Sequence, residues 1–131
     1  MIHLSETGYY ALNAILFIAK SKKNLVKIKD IASGEKISES LLRRIIAKLE
    51  GVGIIKTIRG RNGGVSLAKK EDQISFYDIL EAVGEDLFIR NCVGGTYCSK
   101  QKDCHTSEAF ISLQKGFNSL LKMYTIDKLI K

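Results

Sequence analysis

The sequence predicts a mainly α-helical protein with a small β-hairpin wing, a winged helix-turn-helix followed by a long C-terminal dimerisation helix. Three observations lead there. Two short amphipathic helical patterns meet at a tight connection through Lys36-Ile37. Two short apolar runs then flank an Arg- and Gly-rich turn, and a long helical pattern with an apolar stripe closes the chain. With 131 residues, 45% of them hydrophobic, the chain can bury one core, so one compact unit is expected.

Residues 6–20 read as a helix in which Tyr10, Ala11, Ala14, Ile15, Phe17, Ile18 and Ala19 cover most of the circumference. That much apolar surface predicts burial against both its own domain and a partner. A short helix over 28–35 follows, with Ile28, Ile31 and Ala32 on one face and Gly34 near its end. Ser38 is the expected N-cap of the next helix, about 39–50, which stops at Gly51-Val-Gly53. Leu41, Leu42, Ile45, Ile46 and Leu49 form its inner face. Ile54–Ile58 and Val65–Ala68 read as the two strands of a hairpin, with Asn62-Gly63 expected to supply positive φ angles. Ser75 to Asp78 resembles a capping box opening a helix over 76–83. From Thr106 a long helix carries Phe110, Leu113, Phe117, Leu120, Leu121 and Tyr124 as a heptad-spaced seam. Packing on its own domain is the alternative for that seam; dimerisation is the stronger expectation beside a DNA-reading head. The expected division is a winged helix-turn-helix domain over 1–84, a cysteine loop over 85–105, and a dimerisation helix and tail over 106–131.

Charge is segregated. Residues 20–70 hold 14 Lys or Arg against four acids, a balance of +10, which leaves −3 for the remainder of a +7 chain. Such segregation marks a surface that meets a polyanion, although a solvated lysine-rich face would look similar. The motifs favour double-stranded DNA. On the outer face of helix 39–50, Ser40, Arg43, Arg44, Ala47 and Lys48 share one stripe. The major groove admits one helix, so Arg43 and Arg44 can read bases while Ser38, Ser40 and Lys48 position the protein. The wing adds Arg59, Gly60, Arg61, Asn62 and Gly63, two cations among residues small enough to approach a phosphate or the minor groove. Paired carboxylates on one face, a nucleophile with a matched base, and a phosphate-cradling loop leading into a helix are all missing from the sequence, so an enzyme is not expected. A redox carrier built on the cysteines is the enzymatic alternative.

Cys92, Cys98 and Cys104 are the only cysteines, six residues apart in a polar stretch. An odd number cannot pair off within one chain, and residues 1–6 lack the basic start of an export signal. A disulfide scaffold is therefore not expected. Three thiolates suit an iron–sulfur cluster, 2Fe-2S or 4Fe-4S. Zinc is the rival, since His105 follows Cys104, but structural zinc sites favour shorter spacings. Reduced bystander thiols are a third reading, less suited to neighbours such as Asn91, Gly94, Gly95 and Asp103. The longest apolar run, Ala14 to Ala19, is far short of the roughly 20 residues of a membrane span. A cytoplasmic protein with no membrane partner is expected.

With these residues in place, the chain resembles the Rrf-two family of bacterial winged-helix regulators, whose iron–sulfur members include IscR, NsrR and RirA. The resemblance runs through Ile31-Ala32, Ile37 to Leu42, the wing Ile58 to Val65, Ile74 to Ile79, the cysteine loop, and Tyr124 to Leu129. It implies a homodimer with crossing C-terminal helices, a cluster on Cys92, Cys98 and Cys104, and operator binding governed by cluster state. The operator should be near-palindromic and the role that of a repressor responding to nitric oxide, iron or redox state. A thiol switch, partner control without a cluster, or a zinc-binding winged helix are the alternatives. The wing and tail resemble the NsrR and RirA branch more than IscR. In the IscR-like pattern a histidine stands three residues after the last cysteine, where this chain has Ser107. The NsrR-like aspartate position of the first helix matches Tyr9. Candidates for a fourth ligand are His105, the partner's Glu6 or Tyr9, Glu108, or an exogenous group on an open iron.

Overall fold

The structure, a computed structural model, describes residues 3–88 and 106–130. The chain runs α1 (Glu6–Lys20), α2 (Ile28–Glu35), α3 (Glu39–Gly51), β1 (Ile55–Ile58) and β2 (Gly64–Leu67). A 3₁₀ turn (Glu71–Gln73) leads to α4 (Phe76–Ala82), and α5 (Ser107–Met123) and α6 (Ile126–Leu129) complete it. The architecture is the mainly helical one with a two-stranded antiparallel hairpin that the periodicity predicted. No helix among the described residues is long and apolar enough to cross a membrane.

Helix α1 is the spine of the core. Ala11, Leu12, Ala14, Ile15 and Ile18 are buried, whereas Tyr9 stays exposed. Ser5 caps it, its hydroxyl accepting from the Gly8 N–H at 3.1 Å. The Glu85 carboxylate, past the end of α4, accepts in turn from the Ser5 backbone N–H at 3.0 Å and from the Ser5 hydroxyl. Helix α2 ends on Lys36, which adopts the left-handed conformation at φ 56°. Gly34 lies inside α2, where a Cβ would come within 2.6 Å of Phe17 Cε2, so its role is close approach to α1. Ser38 caps α3 by accepting from the Leu41 N–H at 3.3 Å, and Leu42, Ile45, Ile46 and Leu49 seat the helix in the core.

The wing departs from its expected turn. Strand register pairs Ile55 with Leu67 and Ile58 with Gly64, which leaves a five-residue loop, 59–63. Its positive φ falls on Gly60 at 114°, not on Asn62-Gly63. A two-residue turn needs positive φ at its centre; here a longer loop reverses direction earlier and closes with the Gly63 N–H donating to the Gly60 carbonyl at 3.0 Å. Gly63 is required for another reason: a Cβ there would lie 2.0 Å from the Ile58 carbonyl oxygen. Val26 widens the sheet, exchanging backbone bonds with Val65 at 2.9 and 2.8 Å.

Helix α4 opens with the predicted capping box between Ser75 and Asp78. The C-terminal segment then returns to it. The Phe76 N–H donates to the Tyr124 carbonyl and the Ile126 N–H to the Ile74 carbonyl, both at 2.9 Å. The Phe76 and Tyr124 rings stack with centroids 5.9 Å apart, and Ile126 is fully buried. Lys122 Nζ sits 4.6 Å from the centroid of the Tyr77 ring. A hydrogen bond donated by the phenol to Glu81, burial, and the charges of Glu81 and Asp78 hold the Tyr77 phenol above its ordinary range. Further along, buried Gln114 donates through Nε2 to the Leu87 carbonyl at 2.7 Å and to Asn118 Oδ1 at 2.8 Å.

Helix α5 carries two apolar faces. Phe110, Phe117 and Leu121 are half-buried, in line with Gln114, and Leu121 packs against the molecule's own core. Leu113, Leu120 and Met123 are 57%, 56% and 61% exposed and share a stripe with Gly116. The six residues of the predicted seam are thus divided: Leu113 and Leu120 face outward, Phe110, Phe117 and Leu121 are half-buried, and Tyr124, half exposed, stacks on Phe76 of its own body.

Candidate nucleic-acid interface

The sequence-predicted DNA contacts converge on one surface. Ser40, Arg43, Arg44, Ala47 and Lys48 are all exposed along the outer stripe of α3, opposite its buried face. Arg59, Gly60, Arg61 and Asn62 are exposed at the wing tip, and Gly63 is half-buried beneath it. Between helix and wing lies an open cleft of about 690 Å³, lined among others by Arg43, Ala47, Arg59, Arg61 and Gly63. Ser38 stands at the N-terminal end of α3 with its hydroxyl engaged in the cap, where the uncompensated N–H groups of the first turn favour an anion.

Several contributors to this surface carry no strong sequence signal. Lys27 and Lys29 line the cleft, and Lys27 Nζ reaches the Arg61 carbonyl at 3.5 Å, linking α2 to the wing. Val26 explains this, since its pairing with β2 brings the start of α2 beside the hairpin. Ile58, at the end of β1, is 50% exposed on the same cleft. Thr57 Oγ1 donates to Glu50 Oε2 at 3.0 Å, fixing the end of α3 against β1. Glu39 Oε1 lies 2.8 Å from Arg43 Nη2, a contact visible in sequence only as an i, i+4 acid–base pair.

Geometrically the arrangement offers a protruding helix whose N-terminal turns bear two arginines, flanked by a cationic loop. A helix of this kind fits the major groove while the loop meets the backbone or the adjoining minor groove. Among the described residues no group of three His, Cys, Asp or Glu side chains could hold a metal ion. Cys92, Cys98, Cys104 and His105 lie outside the described residues. Of the other candidate ligands, Glu6 and Tyr9 are exposed in the first turns of α1, and Glu108 is exposed in the first turn of α5.

Comparison with known proteins agrees with this geometry. The Rrf2 family model, described as iron-dependent transcriptional regulator, matches residues 4–131. The regulator NsrR of Geobacillus kaustophilus is 34% identical over 133 residues, covering 99% of this chain and 90% of its own. Among solved structures, IscR of T. potens superposes with a TM-score of 0.77 at 25% identity, over 98% of this chain and 86% of its own. CymR, titled the global cysteine regulator of B. subtilis, has a TM-score of 0.80 at 23% identity, over 99% and 97%. These are transcriptional regulators, not enzymes, and they share the winged-helix fold. A match spanning all but the first three residues, on a fold whose helix and wing frame one basic cleft, places this chain in the Rrf2 family of transcriptional regulators.

Proposed function

We propose that this chain is a homodimeric, cytoplasmic repressor whose hold on a near-palindromic operator is controlled by an iron–sulfur cluster carried on Cys92, Cys98 and Cys104. The observation that carries the DNA half is the shared cleft: Arg43 on α3 and Arg59 and Arg61 on the wing face one another across it. Arg43 and Arg44 read base edges; Ser38, Ser40, Lys48, Arg59 and Arg61 set register through phosphate contacts. Two such heads related by a twofold axis demand two half-sites in inverted order. The exposed stripe Leu113, Gly116, Leu120 and Met123 supports self-association, because it gives two copies of α5 an apolar seam at heptad spacing.

The donor set supports the cluster half. Three thiolates with five residues between each pair suit sulfur-ligated iron better than structural zinc, whose cysteines usually have roughly two to four between them. Relatives named NsrR and IscR align along nearly the whole chain. When bound, the group supplies a site that nitric oxide, oxygen or iron loss can alter. A shared fold fixes no signal, so the test measures metal directly. Protein purified without oxygen should contain iron and acid-labile sulfide and lose operator affinity on nitric oxide or chelator treatment. Stoichiometric zinc without sulfide overturns the cluster. Iron-free protein whose operator binding responds only to thiol oxidation establishes the switch without a cluster.

A further inference from the structure

Two carboxylates line the cleft; Glu50 is engaged by the Thr57 hydroxyl of β1, and Glu39, at the helix end, is the one whose chemistry runs against the task. It is the first residue of α3, directly after the Ser38 cap, at the helix end that enters a groove. Its carboxylate lies 2.8 Å from the Arg43 guanidinium, the only ion pair between two described residues. Both side chains are substantially exposed, 42% for Glu39 and 60% for Arg43. An exposed pair of this spacing contributes little to stability. A carboxylate on a surface that meets phosphates also repels any duplex, whatever its sequence. The free N–H groups of the first turn favour its charge, so helix stability accounts for a carboxylate at this position but not for its contact with Arg43, and general affinity accounts for neither.

We propose that Glu39 is a positioning residue for base recognition, orienting Arg43 toward a base edge and away from the backbone. The guanidinium is a rigid fork of five donors. Glu39 Oε1 engages one N–H at Nη2, which leaves a two-donor edge for guanine O6 and N7. A long side chain that is already held loses less freedom on docking. The same negative charge disfavours poses in which Arg43 drops onto a neighbouring phosphate. Affinity is thereby exchanged for discrimination.

This inference rests on Arg43 reading bases, as proposed above, and the experiment separates the two. Preferred duplexes are selected from a randomised pool with the intact protein, and base preference at each position is measured for wild type, Arg43→Ala, Glu39→Ala and Glu39→Gln. Arg43→Ala should flatten the preference at one position in each half-site. Glu39→Ala should cut discrimination at that same position by roughly fivefold or more, within the range one bidentate contact provides. Its binding to random duplex should be equal or tighter, which a merely structural defect would not produce. Glu39→Gln, keeping an acceptor without the charge, should recover part of the preference. If Glu39→Ala and Glu39→Gln both keep the wild-type preference while Arg43→Ala flattens it, the positioning role is overturned alone. If Arg43→Ala changes no position, base reading by Arg43 falls and the inference with it.

Discussion

Gly63 and Gly60 sit three residues apart in the wing and are required for different reasons. At Gly60 the backbone is in the positive-φ region at 114°, with no heavy atom within 4 Å of a built Cβ. At Gly63 the obstacle is the Ile58 carbonyl oxygen, 2.0 Å from where a Cβ would be. Gly63→Ala must therefore push β1 and the loop apart. It should destabilise the protein by about 1–3 kcal/mol, the usual range for overpacking, and weaken operator binding; urea denaturation and an operator titration check the two effects. Arg59→Ala should leave stability unchanged and weaken binding, lowering the slope of log affinity against log salt by about 1. A salt titration that gives the wild-type slope removes Arg59 from phosphate contact. The sequence showed that glycine is needed at this tip, since Arg59-Gly60-Arg61-Asn62-Gly63-Gly64 leaves few other readings. Which glycine carries the unusual φ depended on the register Ile58–Gly64, and that register is set by Val26 pairing with Val65 from far away in the chain.

Helices were legible wherever a cap and a periodic face coincided. Ser38 with Leu42, Ile45, Ile46 and Leu49 defined α3 to within a residue, and Ser75 with Asp78 defined the start of α4. On α5 the spacing of Phe110, Leu113, Phe117, Leu120, Leu121 and Tyr124 showed a wide apolar arc. An arc that wide says the helix is covered on two sides without saying by what. The structure divides it, and the division is testable. Leu120→Asp, on the outward stripe, should convert a dimer to monomers in sedimentation while leaving the head folded. Gln114→Ala, on the inward face, removes the partner of the buried Leu87 carbonyl. It should cost about 1–3 kcal/mol of stability, the penalty of an unsatisfied buried polar group, in chemical denaturation.

At the scale of the molecule, the C-terminal segment belongs to the core of the head. Ile126 is fully buried, at 0% accessibility, in the same cluster as Ile74, Ile79 and Ile15. Ile126→Ala should cost about 2–5 kcal/mol and lower the midpoint of the whole thermal transition, in the manner of a core cavity. A separate low-temperature transition for the tail would contradict this. The docking was hidden in the sequence because Thr125-Ile126-Asp127-Lys128-Leu129 is too short to show a period. The segment it pairs with, Ile74 to Phe76, lies about fifty residues upstream, a separation no local pattern reports. The cysteines were the reverse: their chemistry was legible from identity and spacing, and their geometry lies outside the described residues.

One mechanical consequence follows from how α5 is fastened. Gln114 grips Leu87 from the middle of the helix, Lys122 covers Tyr77 near its C-terminal end, and the chain beyond it is stitched to residues 74–76. Bolted at its middle and its C-terminal end, the second half of the long helix and the DNA-reading body form a lever without a joint. In the proposed homodimer, a signal would therefore act at the contact between two copies rather than between this half of the helix and its own body.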